Sequence, residues 1–79
     1  MNRRSITREE LAPKVLAAIR SEPGCAGVNK ICLTKVDIVD HGSTWHVNVL
    51  DSGDVKFEVA RHVARRVQSA MVQRYDLTD

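Results

Sequence analysis

The chain has 79 residues and a formal net charge of +2, from 12 Lys and Arg against 10 Asp and Glu. One domain spanning 1–79 is expected, with a core so small that a second copy would add stability. The mild charge and the single Trp, Tyr and Phe argue against a dedicated nucleic-acid binder, which needs a concentrated basic footprint and exposed aromatic platforms.

Residues 1–5 read as a loose tail. Thr7 and Glu10 then form a T-x-x-E capping box, with Ile6 and Leu11 placed as a hydrophobic staple. Leu11, Ala12, Val15, Leu16 and Ile19 share one helical face. Pro13 lacks an N–H and should bend this helix, so one kinked helix over 8–21 is expected, ended by Pro23-Gly24. Residues 25–30 read as a loop or a ragged strand start.

Residues 31–39 are rich in β-branched side chains and predict a strand. Its apolar positions change phase, from Ile31 and Leu33 to Val36 and Ile38. One face holds all four only with a bulge near Thr34-Lys35. A second strand is expected over 44–50, joined to the first by a two-residue turn at His41-Gly42. That turn sets Trp45 opposite Ile38, Val47 opposite Val36, Asp37 opposite His46 and Lys35 opposite Asn48. Trp45 then points inward. Asp54 reads as the cap of a last helix over 55–75. Val59, Ala60, Val63, Ala64, Val67, Ala70 and Met71 form its apolar stripe, with Phe57 and Tyr75 at the margin.

The expected fold is thus α+β, in the order α-β-β-α, with both helices on one face of an antiparallel hairpin. The order resembles that of small RNA-binding α+β modules. The third strand of a double-stranded-RNA-binding domain is not expected, so no site residue carries over.

Catalytic chemistry has few candidates. Asp37 and His46 form the only predicted His–carboxylate pair, which is more often an ordinary surface contact. Cys32 would lie ~13–16 Å from Asp37 along the strand, too far for a triad. Cys25 and Cys32 have no metal-type spacing and read as free thiols in a reducing, cytoplasmic setting. His41, His46 and His62 show no ligand spacing either. No enzyme, cofactor or metal site is expected. No apolar run reaches the ~20 residues of a membrane helix, and the charged N-terminus lacks the apolar core of a secretory signal.

Two expectations remain. Two helices cover only one face of a hairpin, and bare strand edges invite pairing. A homodimer with a continuous four-stranded sheet is therefore expected, making the protein a non-enzymatic interaction module. The alternative is a nucleic-acid-binding module that uses the basic face of the last helix, Arg61, Arg65 and Arg66, with Arg3, Arg4 and Arg8 added.

Overall fold

The computed structural model describes residues 4–38 and 42–78. Six elements follow one another: β1 (Arg4–Ile6), α1 (Arg8–Arg20), β2 (Lys30–Ile38), β3 (Gly42–Asp51), α2 (Phe57–Met71) and β4 (Tyr75–Leu77). The four long elements keep the expected α-β-β-α order. Two three-residue strands at the ends were not anticipated. They pair in parallel, Arg4 with Tyr75 and Ile6 with Leu77, and bury Ile6 and Leu77. The tail expected over 1–5 therefore becomes a strand from Arg4 onward.

Helix α1 starts where its capping residue requires. The Thr7 hydroxyl accepts the Glu10 N–H at 3.3 Å, which satisfies one of the free donors of the first turn. Pro13 lies inside the helix on its exposed side, and Leu11, Val15 and Ile19 form the fully buried stripe. Helix α2 begins later and ends earlier than its pattern suggests. Its cap position is Lys56 rather than Asp54. The Asp54 carboxylate instead lies against Gly27, at the place a β-carbon would occupy. At the far end the chain turns after Met71, so Tyr75 joins β4 and not the helix.

The hairpin register differs from the expected one. Leu33 faces Val47, Lys35 faces Trp45 and Asp37 faces Ser43. His46 accordingly faces Thr34, and Asn48 faces Cys32. Pairing runs without interruption from Ile31 to Ile38, so there is no bulge at Thr34-Lys35. The irregularity lies between Lys30 and Ile31, where Leu50 is the extra residue of β3. The last described pair is Ile38 with Gly42, so the expected turn at His41-Gly42 falls partly on residues outside those described.

The physical reason is Lys35. Odd-numbered residues of both strands face the helices: Leu33 and Trp45 are buried, and Ile31, Val47 and Val49 are packed against the core. Lys35 shares that face yet is exposed, so the charge sits beyond the helical cover and costs little. The molecule measures 39 × 20 × 20 Å. A ten-residue strand spans ~33 Å, so the hairpin sets the long axis. Trp45 points inward as expected and is fully buried. Its indole N–H donates to the Tyr75 carbonyl at 3.1 Å, which ties β4 to β3.

Candidate interaction surface

Surface chemistry concentrates between β3 and α2. The buried stripe of α2 is Ala60, Val63, Ala64 and Val67. One flank of that stripe carries Phe57, Arg61, Arg65 and Gln68, because positions three and four apart are neighbours on a helix surface. This flank overhangs the edge of β3. Together they line a groove of about 420 Å³, whose walls include His46, Val47, Asn48 and Val49 on one side and Phe57, Arg61, Arg65 and Gln68 on the other. Phe57 is 55% exposed there.

One bond defines how β3 lies in this groove. The Val47 backbone N–H donates to Gln68 Oε1 at 2.9 Å. Residues facing each other in an antiparallel pair point their backbone groups either both toward or both away from the partner strand. Val47 points away from β2, so Val49, two residues on, presents its N–H and carbonyl to the groove as well. Leu33, opposite Val47, must then point its own N–H and carbonyl away from β3. So must Ile31 and Lys35. These groups line the free edge of β2, against which no described element pairs.

No protein-family model, no curated protein and no solved structure matches this chain.

The three arginines of the predicted basic face differ in their partners. Arg66 forms an ion pair with Glu22 at 3.3 Å, which links α2 to the end of α1. Arg61 and Arg65 have no ion pair among the described residues. They line both the groove and a shallow surface with Glu58 and His62. Arg4 belongs to β1 and Arg8 to α1, and neither lines a cleft over α2. Arg3 lies outside the described residues.

Other candidates disperse. Asp37 pairs with Ser43 along the ladder, so it is not the neighbour of His46. The residue beside the His46 ring is Gln68, whose Nε2 lies 3.4 Å from Nδ1. Cys25 is buried in the core and Cys32 is half-buried opposite Asn48. The described residues contain no group of three His, Cys, Asp or Glu able to hold a metal ion. None of the described helices is long and apolar enough to cross a membrane.

Sequence reading missed Gln68 and Phe57 as site residues. The apolar stripe places Phe57 at its margin and leaves Gln68 off it. The available signal was their placement with Arg61 and Arg65 on a single flank. That signal gains meaning only once the edge of β3 is known to lie opposite.

Proposed function

We propose that the chain is a non-enzymatic interaction module that assembles as a homodimer through the free edge of β2. The observation that carries this reading is the outward set of backbone groups at Ile31, Leu33 and Lys35, fixed by the Val47–Gln68 bond on the opposite edge. A nine-residue strand with one bare edge is a template for a second strand. Two copies would give the order β3-β2-β2-β3 about a two-fold axis, a self-complementary contact.

Lysines on an edge usually discourage pairing. Here an axis through Leu33 would set Lys35 against Ile31 of the second copy and Lys30 against Val36, so no like charges oppose each other. Half-buried Cys32 and Val36 on the outer face would gain cover in the same arrangement. The nucleic-acid reading is weaker. Glu22 occupies Arg66 and Glu58 lies beside Arg61, so of these three only Arg61 and Arg65 lack an ion pair among the described residues.

Light scattering coupled to size exclusion at ~50 µM tests the dimer, since self-association depends on protomer concentration. The expected mass is twice the 8.8 kDa of one chain. Lys35→Pro should return the single-chain mass with the fold intact, because the lost N–H faces the free edge and proline is tolerated there. A wild-type protein that elutes as one chain at this concentration refutes the reading.

A further inference from the structure

We infer that the groove between α2 and the edge of β3 binds an extended acidic peptide, which adds as a strand to β3. Three observations converge on this occupant.

The first is backbone chemistry. Val47 and Val49 present main-chain groups to the groove, and the Val47 N–H is held only by the end of a side chain, Gln68 Oε1. A peptide carbonyl can take that place, as in strand addition to an exposed edge beside a helix. Gln68 is then a placeholder that swings aside.

The second is charge. Arg61 and Arg65 line the groove without an ion pair among the described residues. A ligand carboxylate would complete them, and guanidinium groups bind carboxylates in a two-pronged geometry.

The third is spacing. Residues four apart on a helix rise ~6 Å, and residues two apart on a strand advance ~6.6 Å. The ridge Phe57, Arg61, Arg65 therefore matches every second residue of an extended chain. The matching ligand carries one apolar and two acidic side chains at alternating positions: the apolar one packs on exposed Phe57 and each acid meets one arginine. A regular phosphate backbone satisfies the arginines but leaves Phe57 and the Val47 and Val49 amides unused. The groove lies on the edge opposite the proposed dimer contact, so the two proposals stand or fall separately.

Titration of the full chain with fluorescein-labelled Leu-Ser-Glu-Ser-Glu and with its reverse sequence tests this, followed by anisotropy and by amide chemical shifts. One of the two peptides should bind with Kd at or below about 1 mM, and the amides of Val47 and Val49 should move. Arg61→Glu with Arg65→Glu should weaken binding at least tenfold. The single change Arg61→Ala, expected to weaken it severalfold, provides the same comparison if the double variant misfolds. Gln68→Ala should bind several times more tightly, because the internal competitor for the Val47 N–H is gone; simple charge attraction predicts no change. The inference is overturned if neither peptide binds at about 1 mM, if the shifts fall on Glu58, His62 and Gln73 instead, or if a uridine decamer binds more tightly than both peptides.

Discussion

The edge of β3 lies beneath α2 and beside β4, whereas the edge of β2 has no described strand paired to it. Both strands have the same backbone and bury the same face. On β3, Gln68 holds the Val47 N–H and Trp45 reaches the Tyr75 carbonyl. On β2, Ile31, Leu33 and Lys35 direct main-chain groups outward with no described strand beside them. One hairpin thus offers a guarded edge and a bare one. The difference follows from where the second helix lands. The chain leaves β3 at Asp51 and returns as α2 alongside the strand it has just left.

The strongest way to break this asymmetry is to remove the residue that anchors the guarded side. Trp45 is fully buried and bonded to β4. Trp45→Ala should cost ~3–5 kcal/mol. Stabilities of ~0.05–0.15 kcal/mol per residue are usual, about 4–12 kcal/mol for this chain, so the variant should lose from about a quarter to all of its stability. Trp45→Phe keeps most of the apolar contact and loses the donor, for a cost of ~1–2 kcal/mol. Urea unfolding followed by circular dichroism distinguishes the two, since the single Trp cannot serve as the probe. Equal losses for both variants would show that the β4 tether, and not packing, governs this edge.

A second change asks whether the base of the hairpin, rather than either edge, sets the register. Gly53 has φ +60, and a β-carbon there would strike the Gly27 carbonyl. Its N–H donates to Asp51 Oδ1 at 2.8 Å, and the Asn29 N–H donates to the Asp51 carbonyl at 2.9 Å. Gly53→Ala combines left-handed backbone strain of ~1–2 kcal/mol with that collision, so a loss of ~2–3 kcal/mol is expected in the same urea assay. A loss under ~0.5 kcal/mol, the size of an ordinary surface change, would show that the two loops do not need their close approach.

These effects also explain what was legible in the sequence. The stripe Leu11, Val15 and Ile19, the Thr7 cap and the inward Trp45 follow from local pattern, and local pattern was enough. The register was not, because it was read from a turn. Placing the turn at His41-Gly42 forced Val36 and Ile38 inward and required a bulge to do so. The structure keeps one phase throughout and lets Lys35 share the inner side beyond the helices. Strand β4 was hidden for another reason. Three residues carry no periodicity, and its partner Arg4–Ile6 lies at the other end of the chain. The groove was half legible: Arg61 and Arg65 stood out as charges, but Gln68 became meaningful only beside Val47.

The smallest change tests the guard itself. Gln68→Ala removes the acceptor of the Val47 N–H while leaving the buried face of α2 untouched. A hydrogen bond of this kind contributes ~0.5–1.5 kcal/mol net, and the groove is open enough for water to replace the lost oxygen. The expected cost is therefore at the lower end, ~0.5–1 kcal/mol. Amide exchange should show it more sharply than unfolding does. Val47 should exchange faster in the variant, while Asn48, whose N–H turns toward β2 by the alternation of the ladder, should keep its protection. If Val47 and Asn48 accelerate together, the loss has loosened the whole hairpin, and the side chain of Gln68 holds α2 against the sheet rather than merely closing its edge.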